Sequence, residues 1–510
     1  MTPIKSRLGW ILVSPFFVLI TPVKADTFYD YLSHKKDEIH QILGKESNND
    51  SLYKVNIGKL SEFDLASTSM LEELPLVTSS KNQVNQQTKT IASNETWLGG
   101  NQELSFVEVV HQALRHRPEI TQSIAMIAGQ GANIDAAKAE YFPQVSGGIT
   151  TADLTTGERG RQLYTLSATQ MLYDFGKIKS SVDIEKAKLL QEQANALVNI
   201  DDIAYQTANA IVNIKRYKEI VRIADQQIKG IARIAEIANL RANAGISSQA
   251  DPVQAQSDLE AAESNKIVQE NQLKQYQQKL RNLLGRDVSN QQIKIPETIV
   301  KNAGLYEQTQ FNLVPEMMAA QAAIQVAKFQ KEQTKLSAYP TINVKGSLSQ
   351  ALNGTNPNNN KDDGFYNSIM LEATSNFFQG GAIRSKQRSA SYAEEAAKAE
   401  LNAVYLDVLD QVQLIREEIE NKQKQIQTLT ARQLSTTRTK ELYQEQYKLG
   451  TRSVVDLLNS EQAIHSAAQE IETAKYDIYA NLVQYIKITG RTRDLYQLNN
   501  ISIQGFEIQP

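Results

Sequence analysis

The 510-residue chain contains no cysteine, only five histidines, twelve prolines and 7% aromatic residues. The absence of cysteine excludes disulfides, thiolate metal sites, a cysteine nucleophile and lipidation at an N-terminal cysteine. No pair of histidines has metal-ligand spacing together with a third ligand. The sequence also lacks a phosphate-binding P-loop and a nucleophile–base signature. We therefore expect no enzymatic activity, no metal and no cofactor.

The net charge and the hydropathy of the sequence exclude further classes of protein. The net charge of −3 lacks the basic excess of nucleic-acid-binding proteins, so no nucleic-acid partner is expected. Scarce proline and long runs of alanine, glutamine, glutamate, lysine and leucine indicate long helices. After residue 25 no apolar run is long enough for a transmembrane helix. Any membrane-spanning part must then consist of β-strands.

Residues 1–25 have the three parts of a secretory signal peptide. Lys5 and Arg7 supply the positive charge, residues 8–20 form a mostly apolar stretch, and residues 23–25 place small side chains before a cleavage point. The alternative is a membrane anchor, for which the stretch is short. We expect cleavage before Asp26 and export of the remaining chain.

The next segment, residues 26–103, is predicted to be an N-terminal extension that is partly disordered. Residues 26–46 have the apolar spacing of a short amphipathic helix. Residues 78–102 are rich in asparagine, glutamine, threonine and serine, which is typical of a linker. Nothing in this segment indicates chemistry.

From Leu104 onward one structural unit occurs twice. Pro118-Glu119 recurs as Pro315-Glu316, an offset of 197 residues. Farther on, a set of residues recurs at a constant offset of 205: Gly176, Gly245, Asp251, Gly285 and Arg286 correspond to Gly381, Gly450, Asp456, Gly490 and Arg491. An ordered set of this length predicts a tandem duplication. We place the first repeat at 104–300, the second at 301–495 and a C-terminal tail at 496–510.

Each repeat is predicted to contain a helix, two strands, a long helix, a tight turn and another helix. The long helix of the first repeat runs from about Lys177 to Ala244. Helices at 118–141 and 248–284 together nearly match its length, so they could lie end to end along it. Apolar residues recur at steps of three and four, as in a coiled coil or an ordinary helical bundle: Val221, Ala224, Ile228, Ile231, Ala235 and Ala238, then Leu401, Tyr405, Val408, Val412, Ile415, Ile419, Ile426 and Leu429, with Lys422 as a polar interruption.

The predicted strands alternate apolar and polar residues, for example Ile342 and Val344 against Asn343 and Lys345. This period fits a half-buried soluble sheet and also an outer-membrane β-barrel. The export signal and the lack of apolar helices favour the barrel. Four strands cannot close a barrel, because known membrane barrels have about eight or more. Several chains must then share one barrel, and counting alone permits two or three.

Several of these motifs resemble those of the TolC outer-membrane channel family. Residues 447–458, YKLGTRSVVDLL, resemble its signature, and Leu104-Ser105-Phe106 with Pro118-Glu119 resembles its opening segment. The segments at 139–143 and 377–381 also fit. The resemblance implies a mainly α-helical protein with a membrane β-barrel portion: a homotrimer with a 12-stranded barrel in the outer membrane and a long coiled-coil α-helical barrel in the periplasm. It also implies docking to a periplasmic adaptor and an inner-membrane ABC or proton-driven transporter.

The resemblance assigns roles to residues near the helix tips. Asp456 would form an acidic ring at the periplasmic entrance, and Asn459 stands where a second aspartate is expected. The alternative for Asp456 is a first-turn acid stabilised by the helix dipole. Asp251, Tyr447 and Arg452 match links that hold the entrance shut, with surface polar residues as the alternative.

The turns themselves would meet the adaptor through Gly245, Ile246, Gly450 and Thr451. A glycine followed by an N-cap serine, at Ser247 or Ser248 and at Ser453, predicts a tight helix–helix turn.

The resemblance thus implies an outer-membrane channel of a tripartite export system, a passive conduit for type I protein secretion. Multidrug or small-molecule efflux through such a channel is the first alternative. A periplasmic coiled-coil scaffold without a pore is an alternative of another class.

Overall fold

The computed structural model describes residues 52–60, 104–152, 161–288, 291, 293–296, 302–352, 354–376 and 378–509. All of them belong to one unit, Leu52–Pro510. The predicted signal peptide, amphipathic helix and polar linker at 1–25, 26–46 and 78–102 lie outside the described residues.

The described helices are α1 Ile57–Leu60, α2 Phe106–His116, α3 Pro118–Ala139, α4 Lys177–Asn243, α5 Ala250–Leu284, α6 Pro315–Leu336, α7 Ala382–Lys448, α8 Val454–Ile488 and α9 Thr492–Leu495. The described strands are β1 Lys54–Asn56, β2 Leu104–Ser105, β3 Gln144–Ala152, β4 Arg161–Tyr173, β5 Ile293–Lys294, β6 Thr341–Leu352, β7 Thr355–Asn356, β8 Lys361–Asp362, β9 Phe365–Thr374, β10 Ser502–Ile503 and β11 Phe506–Gln509.

The two repeats have helices of identical length. α3 and α6 each have 22 residues, α4 and α7 each have 67, and α5 and α8 each have 35. At ~1.5 Å per residue the longest pair spans roughly 100 Å. α3 and α6 both begin with proline at the first turn, where its missing N–H costs nothing. The predicted order of elements in each repeat is confirmed.

The helices pack in the order α3 and α5, then α4, then α6 and α8, then α7. α3 and α5 lie end to end along α4, as predicted. Asn199 of α4 donates to Ser123 of α3 at 2.9 Å, and the Tyr217 ring of α4 stacks on the Tyr276 ring of α5 with 5.6 Å between the ring centres. The predicted apolar stripes supply the contact surfaces. Their buried members are Ala224, Ile231, Ala238, Leu401, Val408, Val412, Ile415, Ile419 and Leu429.

The main sheet has the order β3-β4-β6-β9, with every neighbouring pair antiparallel. One face is apolar and exposed, with 66–70% exposure at Val145, Ile149, Ile369 and Leu371. The period-two prediction is therefore confirmed. β3 and β9 are the edges, and neither pairs with a further strand in the part of the chain that the structure describes.

A small sheet joins the two ends of the described chain. β1 pairs in parallel with β11, which pairs antiparallel with β10. Val55, Phe506 and Ile508 are fully buried in the main core. Gln193 of α4 also donates to the Leu52 carbonyl at 3.0 Å. Residues from the predicted extension and from the predicted tail thus contribute to the core.

Candidate functional site

Both long helices end in the same kind of turn. Gly245 has φ +73° and Gly450 φ +78°, left-handed values that glycine adopts without steric cost. The amide of the following residue, Ile246 or Thr451, donates to the carbonyl five residues earlier, at 2.9 and 3.0 Å. These are Schellman turns, and they confirm the predicted glycine-terminated helix ends.

The helices that follow begin differently. At α8 the Asp456 amide donates to Ser453 Oγ at 3.3 Å, and the Ser453 amide donates to the Asp456 carboxylate at 3.4 Å. The predicted serine cap is confirmed there. At α5 the residue before the helix is Gln249, which has helical dihedral angles and makes no side-chain cap. Ser248 Oγ accepts the amide of Ala250, the first residue of α5, at 3.1 Å, so one of the two predicted serines supplies the capping hydrogen bond.

Asp456 and Asn459 lie almost one turn apart on α8, and Asn459 is exposed. Asp456 Oδ2 accepts from the Ser453 hydroxyl at 2.9 Å and lies 3.6 Å from the Arg452 guanidinium. The helix-capping role of Asp456 is therefore present. Its side chain remains 35% exposed, so capping does not withdraw the carboxylate from solvent.

The structure brings two of the three predicted gate residues together. Tyr447 is buried, and its hydroxyl has no hydrogen-bond partner among the described residues. Burial raises the pKa of Tyr447, and the nearby Asp251 charge adds to this effect. Arg452 lies elsewhere: it donates to Gln446 at 2.9 Å and stacks 4.4 Å above the Tyr443 ring. Within one chain, Arg452 contacts its own hairpin rather than Asp251.

Arg241 joins the two hairpins, and the sequence analysis missed it. Its guanidinium lies 4.7 Å from the centre of the Tyr447 ring, and it donates to the Lys448 carbonyl at 3.4 Å. Around it, Val454 and Leu457 of α8 pack with Ile234 of α4. Only the tertiary structure brings Arg241 and Tyr447 together, since 206 residues separate them along the chain.

The tips also present apolar side chains to solvent. Leu240, Ile246 and Leu449 are 63–79% exposed. Of these, only Ile246 was predicted as a docking residue. Exposed large apolar groups at the end of a helical structure are typical of a protein-binding surface.

A buried carboxylate lies above the tips, between the two repeats. Glu461 of α8 is 2% exposed and pairs with Lys440 of α7 and with His465 at 3.2 Å. Burial opposes ionisation, but hydrogen bonds from His465 and Lys440 lower the pKa of Glu461 overall. The carboxylate fits because Gly230 of α4 faces it without a side chain.

A second ion cluster explains the polar interruption in the α7 stripe. Lys422 lies 2.8 Å from Asp477 of α8, and Asp477 also accepts from Arg216 of α4 at 2.6 Å. One carboxylate therefore ties three helices together. Lys422 is part of the packing between repeats rather than a defect in it.

A third cluster lies farther along the helices, around Asp201 of α4. Asp201 is 1% exposed, and neither carboxylate oxygen has a hydrogen-bond partner among the described residues. Burial raises its pKa to about 7, with Arg493 opposing and Glu316 adding to the effect. Burial also raises the pKa of Glu316. Because burial disfavours the charged forms of Asp201 and Glu316, the stability of the fold around this cluster should depend on pH.

The described residues lack a metal-binding cluster and a membrane-spanning helix. They contain no group of three or more acidic, histidine or cysteine side chains arranged to hold a metal ion. They also contain no helix that is both long and apolar enough to cross a bilayer.

Long helical hairpins joined to an antiparallel sheet with an exposed apolar face fit an outer-membrane channel with a periplasmic helical tunnel, the class of protein that the family match also gives. The chain belongs to the outer membrane efflux protein family. The family model matches residues 109–286 and 311–491, which correspond to the two repeats.

Individual relatives agree with this assignment. Outer membrane protein TolC of Escherichia coli (strain K12) is 23% identical over 429 residues, covering 78% of this chain and 84% of the relative. Alkaline protease secretion protein AprF of Pseudomonas aeruginosa is 25% identical over 164 residues, covering 32% of this chain and 34% of AprF. The solved outer membrane protein VceC of Vibrio cholerae has a TM-score of 0.64 at 15% identity and covers 76% of this chain and 96% of that chain.

Proposed function

We propose that three copies of this chain form a passive conduit for type I protein secretion, with a periplasmic adaptor and an inner-membrane ABC or proton-driven transporter. The observation that carries the proposal is the main sheet, which has an exposed apolar face and two edges that pair with no further strand among the described residues. In lipid each unpaired backbone group costs several kcal/mol. Other copies must therefore close the sheet, and three copies give twelve strands.

The helical layer exposes apolar side chains at both of its edges, on α7 at one edge and on α5 at the other. On α7, Leu406 and Leu442 are more than half exposed and 36 residues apart, about ten turns, so they share one face. On α5 at the opposite edge, Val253 and Ile267 are 66–70% exposed. Two different apolar edges favour head-to-tail contacts that close into a ring.

The duplication indicates which residues meet between copies. Within the chain, α4 of the first repeat packs on α8 of the second. In a ring, α7 would pack in the same way on α5 of the next copy. At the offset of 205, the close pair Gly230 and Glu461 corresponds to Ser435 and Gln256, both of which are exposed in the single chain.

This register is testable because the chain has no cysteine. A Cβ on Gly230 would lie 3.2 Å from Glu461 Cγ, so the equivalent pair is close enough for a disulfide. Ser435→Cys/Gln256→Cys should form covalent dimers and trimers, and no larger species, in outer-membrane fractions. Ser435→Cys/Gln254→Cys is the matched control, because Gln254 is also exposed but lies two residues away, on another face of α5.

Equal cross-linking of both pairs would refute the register. A ladder that continues past three chains would refute the trimer. Absence of the chain from outer-membrane fractions would favour the scaffold without a pore.

In the proposed trimer, the predicted site residues would have the following roles. Three copies of Asp456 would surround the axis, and clustered carboxylates in a narrow entrance attract cations. Tyr447 would hold the entrance shut beside Asp251 of its own chain, and Arg452 would reach Asp251 on the neighbouring hairpin of the next copy. The exposed apolar tips would receive the adaptor.

Secretion is favoured over small-molecule efflux by the name of AprF, an alkaline protease secretion protein. Efflux is the second candidate, favoured by the efflux description of the family. Deleting the gene for this chain distinguishes the two functions. Loss of an exported protein from the medium supports secretion, and increased drug sensitivity alone supports efflux.

A further inference from the structure

A basic cleft lies between α6 and α7, next to the main sheet. Its volume is about 540 Å³. Four cationic and two neutral polar side chains line it: Lys331, Lys335, Arg384, Gln387, Arg388 and Ser391.

The cleft has an excess of positive charge. Lys331 lies 2.7 Å from Glu394, and Lys335 lies 3.6 Å from Glu332. Arg384 and Arg388, by contrast, are exposed and make no ion pair with a described carboxylate. Both lie in the first two turns of α7, which has no acid in its first turn. Positive side chains at this end of a helix add to the positive end of its dipole, so an anion would be stabilised there.

The first repeat shows that the fold does not require this cleft. By the offsets of 197 and 205, Lys331 and Gln387 correspond to Ile134 and Val182, and Arg388 corresponds to Asp183. The other two cations, Lys335 and Arg384, correspond to Lys138 and Lys179. The Ile134 and Val182 side chains are each 6% exposed and pack in one apolar cluster. The second repeat therefore has two additional cations, Lys331 and Arg388, where the first has a buried apolar side chain and an acid.

The position of the cleft indicates where its ligand comes from. Lys335 precedes the first residue of β6 by six positions, and Arg384 follows the last residue of β9 by ten. Only residues 337–340 separate the end of α6 from the start of β6, so the cleft begins close to the end of the sheet. If the sheet crosses the outer membrane, as the proposed function requires, this is the depth of the phosphate groups of the periplasmic leaflet.

We propose that the α6–α7 cleft binds the phosphate of an anionic phospholipid in the periplasmic leaflet of the outer membrane. Arginine forms paired hydrogen bonds to phosphate oxygens. Basic pockets between helices at a membrane boundary are suited to such headgroups. One lipid would be held per chain. It would fill the space between α6 and α7, which the apolar cluster fills at the equivalent place in the first repeat.

The test uses the full-length protein in a neutral detergent. Phosphatidylglycerol, phosphatidylcholine and inorganic phosphate are titrated separately, and bound lipid per chain is counted by native mass spectrometry. We expect one phosphatidylglycerol per chain, bound at least tenfold more tightly than phosphatidylcholine. Arg384→Gln/Arg388→Gln should weaken it by about tenfold or more, since tenfold corresponds to 1.4 kcal/mol. The matched control is Lys138→Gln/Lys179→Gln, which removes two cations at the equivalent level of the first repeat and should change nothing.

Three outcomes would overturn the proposal. Unchanged phosphatidylglycerol affinity in the arginine variant would exclude the cleft. An equal loss in the control would show a general charge effect. Inorganic phosphate that binds as tightly as the lipid and displaces it would identify a soluble anion as the ligand. Because the cysteine cross-links report assembly independently, failure of lipid binding in a cross-linkable trimer would leave the proposed function intact.

Discussion

Replacing Gly230 with alanine tests the packing between the two repeats. Gly230 lies on α4 opposite the buried Glu461 carboxylate, and a methyl group there would overlap that carboxylate. Glu461 would have to move away from Lys440 and His465, its ion-pair partners. Glu461 is 2% exposed, so it has little access to water as a substitute.

Two opposing effects set the size of the change. Alanine is about 1 kcal/mol better than glycine within a helix. Breaking a buried ion pair by displacing one partner costs about 3–5 kcal/mol. The loss should prevail, and Gly230→Ala should lower the free energy of unfolding by about 2–4 kcal/mol.

The assay is thermal unfolding of the detergent-solubilised protein, followed by circular dichroism at a fixed heating rate. A loss of this size lowers the midpoint by on the order of a few degrees. Gly129→Ala is the matched control, because Gly129 is an exposed residue within α3 whose added Cβ would meet nothing within 4 Å. That variant should melt slightly above wild type. If Gly230→Ala also melts at or above wild type, Glu461 moves at little cost and the packing argument fails.

Two further predictions concern pH and the entrance. The pKa of Asp201 is raised from its ordinary value of 3.8 to about 7 in the folded chain, mainly because the group is buried. The folded state therefore keeps a proton that the unfolded chain releases, and stability falls from about pH 4 to pH 7 by roughly 1.4 kcal/mol per unit. Asp201→Asn should reduce the fall in melting temperature between pH 5 and pH 8, and an identical fall in both proteins would contradict this account. At the entrance, Arg452→Ser with Tyr447→Phe should raise single-channel conductance in planar bilayers, whereas the exposed Arg432→Ser should not; equal conductance in all intact trimers would refute the gate.

Helix boundaries were predictable because the signals that set them are local. The first long helix was expected at about Lys177 to Ala244 and ends at Asn243. Gly176 and Gly245 delimit it, and both have positive φ. The second repeat has the same glycines at Gly381 and Gly450, which also have positive φ. Since a left-handed glycine ends a helix by itself, no tertiary information is needed.

Contacts between distant segments were not predictable in this way. β1 pairs with β11 although about 450 residues separate them. The Asp477 cluster joins Arg216 and Lys422, which lie on different helices of different repeats. From sequence, Lys422 read only as a polar break in a stripe. Its role depends on which helix faces it, and no local pattern contains that information.

The candidate site likewise contains local features, which the sequence predicts, and features that depend on contacts between distant segments. The capping of α8 by Ser453 and Asp456 is local and could be predicted from four consecutive residues. The stacking of Arg241 on Tyr447 depends on two hairpins meeting. The proposed acidic ring and gate would depend on other copies of the chain.

The duplication explains why one chain is incomplete by itself. The long helices α4 and α7 have the same length, but α4 has neighbours on both sides, α3 and α5 on one and α6 and α8 on the other. α7 has neighbours on one side within the chain and exposes leucines at Leu406 and Leu442 on another face. Because both helices derive from one repeated unit, the free side of α7 should accept the same partner that α4 already has. In the proposed trimer, the contact between repeats within the chain would thus serve as the template for the contact between chains, and repeating it around an axis would generate a closed tunnel.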